Sequence, residues 1–196
     1  MFTALTGGIG CGKSTALELF AQYFECADAD KLCHEYYTTP AGIAEVAQRW
    51  PAAVDTDGQI NRKILGNIVF RDERALQTLE DLIAPFLLEK LASYRQQQAV
   101  VIVEIPLLFE KKLDVMCDSV ISVWSPFALR RARLAQRNWD HAECARRERL
   151  QYSPEEKLAR ADYGIINTGS LDMLAEQCRL IAEKLKKQNK TVIAVQ

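Results

Sequence analysis

The chain has 196 residues, with 25 basic and 26 acidic side chains and a formal net charge of −1. That length supports one domain with its own core and room for insertions, without disulfide or metal staples. The charge balance gives no overall positive field for a nucleic acid or an anionic membrane, and no apolar run approaches the ~20 residues of a bilayer span.

Met1 leads directly into Phe2-Thr3-Ala4-Leu5 with no basic flank, so no signal peptide is expected and the expected location is the cytoplasm. Phe2–Thr6 reads as a buried strand, followed by a glycine-rich turn and a helix over Ser14–Tyr23. A short second strand is expected around Phe24–Ala27, ahead of Asp28-Ala29-Asp30. An apolar-rich helical stretch fills residues 60–92, with Ile64, Ile68, Leu76, Leu79 and Leu82, and Pro85 is expected to break or restart it. Val100–Val103, Ser119–Trp124 and Tyr163–Ile166 are further apolar strands, and a basic helix is expected over Arg130–Asn138. Leu171, Leu174, Cys178, Ile181 and Leu185 recur at helical spacing, and Lys184, Lys186 and Lys187 near them read as a solvated face.

Short apolar strands alternating with helices predict an α/β fold with a parallel sheet covered by helices. The economical plan is a core of about 1–37, 98–128 and 162–196, with a helical insertion of about 38–97 and a second excursion of about 129–161. The cysteines at 11, 26, 33, 117, 144 and 178 form no CxxC pair and read as reduced, mostly buried thiols. Cys11 stands apart from these, because its loop position leaves the accessibility of its thiol open.

Gly7-Gly8-Ile9-Gly10-Cys11-Gly12-Lys13-Ser14 satisfies G-x-x-x-x-G-K-[ST] between a strand and a helix. Such a loop turns successive backbone N–H groups onto phosphate oxygens, and the following helix aims its positive pole at the same anion. Gly8, Gly10, Cys11, Gly12, Lys13, Ser14 and Thr15 are the expected ATP-binding residues; Lys13 would reach the outer phosphates and the Ser14 hydroxyl would ligate Mg²⁺. A dinucleotide fingerprint fits less well, because Lys13 stands where that pattern needs its last glycine.

Two readings are open at Asp28-Ala29-Asp30: a helix cap, or a carboxylate that takes the proton of an acceptor hydroxyl. Arg133 and Arg137, four apart on one helix face, fit a lid that stabilises a transferring phosphoryl group. They fit equally a solvated face paired with Glu143 and Glu148.

Taken together, the chain resembles the dephospho-coenzyme A kinase family. The residues that carry the resemblance are Leu5–Thr15, Asp28-Ala29-Asp30, Asp57-Gly58, Arg62, Leu65-Gly66, Pro85, Pro106-Leu107-Leu108-Phe109-Glu110, Arg133, Arg137, Gln151, Glu155-Glu156-Lys157, Ala161-Asp162, Asn167 and Gly169. The chain departs from the family's pattern at Ala84, where His is usual, at Glu104, where Asp is commoner, and at Arg130, where Gln is usual; Trp50-Pro51 replaces Phe-Gly. The resemblance implies a P-loop NTPase core with a helical acceptor-binding insertion and an arginine-bearing lid. It implies ATP-dependent phosphorylation of the ribose 3′-hydroxyl of dephospho-coenzyme A, the last step of coenzyme A biosynthesis. Asp30 would then be the base alongside Lys13, and His34 and Arg62 would bind the acceptor. The same residues also admit a P-loop kinase of another nucleoside or nucleotide, or an ATP-binding switch without transfer activity.

Overall fold

The computed structural model describes residues 1–136, 145 and 148–195. The strands are β1 (Phe2–Gly7), β2 (Glu25–Asp28), β3 (Val101–Glu104), β4 (Ser119–Trp124) and β5 (Tyr163–Ile166). The helices are α1 (Lys13–Phe20), α2 (Ala29–Tyr36), α3 (Pro40–Arg49), α4 (Arg62–Val69), α5 (Glu73–Arg95), α6 (Phe127–Ala135), α7 (Pro154–Arg160) and α8 (Leu171–Val195). The chain divides into two compact units, one of Met1–Asp28 with Tyr94–Gln196 and the other of Ala29–Ser93.

The first unit is built on a five-stranded sheet in the order β2-β3-β1-β4-β5, with every neighbouring pair parallel. It is the sheet of a P-loop NTPase. Every residue of β1 and β3 is buried, so both faces are covered, and the strands are apolar runs rather than alternating ones. Leu5, Ile102, Ile121, Val123 and Ile165 pack against Ala16 and Phe20 of α1 and against Leu174, Cys178, Ile181 and Leu185 of α8. Those are four of the five stripe positions expected from the helical spacing; the fifth, Leu171, opens α8 and is exposed, since the first turn runs out beyond the core. The central strand, β1, runs between β3 and β4, so its exit loop opens at the middle of the carboxyl edge, where such sheets bind ligands.

One device repeats at the opposite edge. Asp118 precedes β4 and its carboxylate accepts the Phe2 N–H at 2.7 Å, while its own N–H donates to the Phe2 carbonyl. Asp162 precedes β5 and does the same with Val120, accepting its N–H at 2.8 Å. Each aspartate closes an N–H at the start of a neighbouring strand and so fixes the register of that pair. Asp162→Ala is expected to lower stability by ~1 kcal/mol, the usual worth of one partly solvated hydrogen bond. Urea unfolding should show a lower midpoint with an unchanged slope.

The second unit is helical. Tyr36, Val46, Ala53, Leu65, Val69, Leu79 and Ile83 form its core. Thr39 caps α3 by accepting the Gly42 N–H, and Asn61 caps α4 by accepting the N–H groups of Lys63 and Ile64. Pro85 does not break the helix as expected: α5 continues through it from Glu73 to Arg95. Pro85 and Asp81, whose carbonyl loses its helical donor, are both exposed, so that carbonyl is not sealed in an apolar core. Leu79 and Ile83 before the proline and Leu91 after it are buried, which holds the helix together across the gap.

Candidate active site

The phosphate loop is the exit of β1. Gly12 takes a φ of 96° at the N-terminus of α1, in the left-handed region that favours glycine. A Cβ built there falls 2.3 Å from Nδ2 of Asn167, so backbone angle and space both demand glycine. Gly12→Ala is expected to displace the Asn167 amide and weaken ADP binding by roughly tenfold, since about 1–2 kcal/mol of backbone strain adds to the clash. Calorimetric titration with ADP checks this, and an unchanged affinity would show that the loop does not need this conformation to hold nucleotide.

Side chains hold the carbonyls of the loop. Lys13 Nζ donates to Gly8 O at 3.2 Å, and Arg130 Nη1 donates to Ile9 O at 3.3 Å. Arg133 Nη1 lies 3.3 Å from both Gly10 O and Cys11 O and 2.9 Å from Ser125 Oγ. The Asn167 side-chain amide donates to Cys11 O at 2.8 Å, and the Asn167 carbonyl accepts from Ser125 Oγ and Arg133 Nη2. With its oxygens drawn outward, the peptide planes of such a loop turn their N–H dipoles toward the concave side, as an anion nest requires.

Lys13 sits inside this frame with its side chain 11% exposed. Its ammonium is 4.0 Å from Oε1 of Glu104, a carboxylate that is 9% exposed. Glu104 ends β3 in register with Leu5 of β1 on one side and Asp28 of β2 on the other. A cation and a carboxylate therefore share the carboxyl edge next to the loop. A cavity of about 350 Å³ opens there, lined by the loop residues Gly10, Gly12, Lys13, Ser14 and Thr15. Arg133 and Asn167, with Gly169 to Leu171 at the start of α8, form its other wall. Gly8 faces a second cavity, of about 420 Å³, with Ile9, Arg130, Glu148 and Tyr152.

The dephospho-CoA kinase family model matches residues 1–173, which spans the loop, the β3 carboxylate, the arginines of α6 and the Asn167 wall. The chain belongs to the dephospho-CoA kinase family. A dephospho-CoA kinase of Aquifex aeolicus is 35% identical over 187 residues, covering 92% of this chain and 95% of its own length. A solved structure from Thermus thermophilus superposes with a TM-score of 0.80 at 31% identity, covering 94% of this chain and 97% of that one. The solved dephospho-CoA kinase of Campylobacter jejuni has a TM-score of 0.71 at 29% identity, covering 96% and 98%.

For a member of the dephospho-CoA kinase family, the positions of the expected site residues divide clearly. Gly10, Gly12, Lys13, Ser14, Thr15 and Arg133 gather around the first cavity. Burial decides the accessibility of Cys11 that its loop position left open: its side chain is fully buried in the core and only its carbonyl serves the loop. Burial pushes the Cys11 thiol above its ordinary value, and the Lys13 charge offsets part of that rise. Arg137 lies outside the described residues, as does Glu143. Glu148 pairs with Arg130 at 2.7 Å and Arg131 at 3.1 Å, so the α6 arginines divide between an ion-paired set and Arg133, which braces the loop.

Asp30, His34 and Arg62 belong to the second unit. Asp30 is exposed in the first turn of α2, His34 is exposed in its last turn, and Arg62 opens α4. Sequence reasoning missed Tyr37, which joins the last two: its ring centre lies 6.2 Å from that of His34, and the Arg62 charge acts on its hydroxyl. Burial nevertheless pushes the Tyr37 hydroxyl up to about 12, so it stays a proton donor at neutral pH. Ser125 was missed as well, because a lone serine after a strand carries no spacing signal.

Proposed function

We propose that the chain transfers the γ-phosphoryl group of ATP to the ribose 3′-hydroxyl of dephospho-coenzyme A, releasing coenzyme A and ADP. The observation that carries this reading is the braced glycine loop around Lys13, within a chain whose family match runs through residue 173. The cavity beside the loop fits a nucleotide: its floor is glycine backbone, its cation is Lys13, and Ser14 offers a hydroxyl at the helix start. Bound Mg²⁺ would be held by Ser14 and Glu104 oxygens with substrate phosphates and would offset negative charge on them.

In the transfer, a bond forms between the acceptor oxygen and the γ-phosphorus while the bond from that phosphorus to the β–γ bridging oxygen breaks. The acceptor proton passes to the Asp30 carboxylate, and ADP leaves with the bridging electrons. Lys13 neutralises the phosphoryl oxygens, and Arg133 and Arg137 act from the lid of about 129–161. The insertion of about 38–97 receives the acceptor, with His34 and Arg62 on its phosphate-rich end. We place the reaction in the cytoplasm, where buried cysteines such as Cys11 and Cys178 stay reduced.

The test is ADP release with ATP and Mg²⁺, with and without dephospho-coenzyme A, and the product identified by mass. Acceptor-dependent turnover yielding coenzyme A is the expected result. Nucleotide binding with no acceptor-dependent turnover would remove this substrate assignment.

A further inference from the structure

Lys157 lies on α7 with no exposed surface, a rare position for an ammonium group, and nothing in the transfer chemistry above uses it. Its Nζ donates to Oε1 of Glu110 at 2.9 Å and to the carbonyl of Pro106. The same Glu110 oxygen accepts the Tyr152 N–H at 2.7 Å, so the carboxylate is anchored both by α7 and by the segment that leads into it. Burial lowers the Lys157 ammonium from its ordinary range, Glu110 opposes that shift, and Lys13 adds a smaller downward push. The two lysines are therefore within electrostatic reach of one another.

The Pro106 carbonyl is where this cluster meets the site. It stands two residues beyond Glu104, just after the last ladder bond, in which the Ile105 N–H donates to Leu5 O at 2.9 Å. Proline fixes its own φ and restricts the residue before it, so a hold on this carbonyl leaves the exit of β3 little freedom. The Thr6 hydroxyl, one residue before the phosphate loop, reaches the same carbonyl at 3.4 Å. At the other end of α7, Pro154 packs on the loop so closely that a Cβ built at Gly8 would fall 2.5 Å from its Cγ. One short helix thus grips both the strand exit that carries Glu104 and the loop that carries Lys13.

We propose that Lys157 is a positioning residue of the nucleotide site: clamped between Glu110 and the Pro106 carbonyl, it locks the β3 exit and the start of the phosphate loop into one frame, and so sets Glu104 beside Lys13. A buried pair that served stability alone could be exchanged for apolar side chains at little cost. This pair is anchored on a backbone carbonyl at the edge of the site, where an apolar replacement has no donor to offer. The inference rests on the kinase reading for what the frame is used for, and on the contacts of Lys157 and Pro154 for the frame itself.

The experiment compares Lys157→Met, Glu110→Gln and Leu158→Ala, reading ADP affinity with and without Mg²⁺ by calorimetry, kcat with ATP and dephospho-coenzyme A, and Tm. Leu158 is the control for loss of stability: it is the next residue of α7, packed against Gly164 of β5, and makes none of the clamp bonds. Lys157→Met is expected to weaken Mg²⁺-dependent ADP binding and lower kcat by about 10–100-fold, the scale on which supporting side chains act at such sites. Leu158→Ala is expected to lower Tm with both parameters kept. Should Lys157→Met fail to fold, Glu110→Gln keeps the shape and should still lose several-fold in affinity. Wild-type affinity and kcat in whichever clamp variant folds would overturn the proposal. A wild-type protein that binds ADP but leaves dephospho-coenzyme A untouched would remove the substrate reading, while the affinity comparison would still decide the role of Lys157.

Discussion

Replacing Asp30 with asparagine is expected to lower turnover by roughly 10²–10⁴-fold while ATP affinity stays nearly unchanged, the usual scale for losing a general base. Asn keeps the size and hydrogen-bonding reach of the side chain but cannot take a proton, so only the proton-transfer role is removed. Asp30 stands in the first turn of α2, directly after β2 ends at Asp28 on the ligand-binding edge of the sheet. The rival account is electrostatic: an acidic side chain in the first turn of a helix stabilises it by ~0.3–1 kcal/mol through the helix dipole. The two accounts part in their readouts. A helix-dipole role predicts a small drop in Tm with turnover kept, and a base predicts lost turnover at any temperature where the protein is folded. Steady-state kinetics with dephospho-coenzyme A and a thermal melt on the same sample decide between them.

The parts of the site readable from sequence were those with fixed local spacing. The G-x-x-x-x-G-K-S run specifies its own turn and helix start, and four strands were visible as apolar runs, while β2, Glu25-Cys26-Ala27-Asp28, carries charge at both ends and was placed only approximately. The α8 stripe was equally plain, because its four core positions repeat at helical intervals. What stayed hidden depends on residues far apart in the chain meeting at the sheet edge. Asn167 and Cys11 are 156 positions apart, and Arg130 and Ile9 are 121 apart. No local pattern announces that these side chains hold the loop carbonyls. Lys157 was visible in the Glu-Glu-Lys motif, but its burial arises only when α7 lies against the Pro106 turn. Pro85 failed in the other direction: a strong local rule was overridden by the packing of Leu79, Ile83 and Leu91 on either side of it.

Lys13→Ala should lower kcat/KM for ATP by roughly 10²–10³-fold or more, since it removes the cation aimed at the transferring group. Part of the loss comes from what the lysine leaves behind. Glu104, 9% exposed and 4.0 Å from the ammonium, then presents its charge to incoming phosphates without the cation that offsets it. Lys13→Arg is not expected to restore activity, because a planar guanidinium does not fit a site built for a compact point charge that also donates to Gly8 O. A double-mutant cycle isolates the second part of the loss. Measured as ADP affinity without Mg²⁺, Lys13→Ala combined with Glu104→Gln should bind more tightly than Lys13→Ala alone, because the repulsive charge is gone. If the double variant binds no better, Glu104 does not act on the phosphate site through its charge. If Lys13→Ala keeps wild-type kcat/KM, the loop is not where ATP is used.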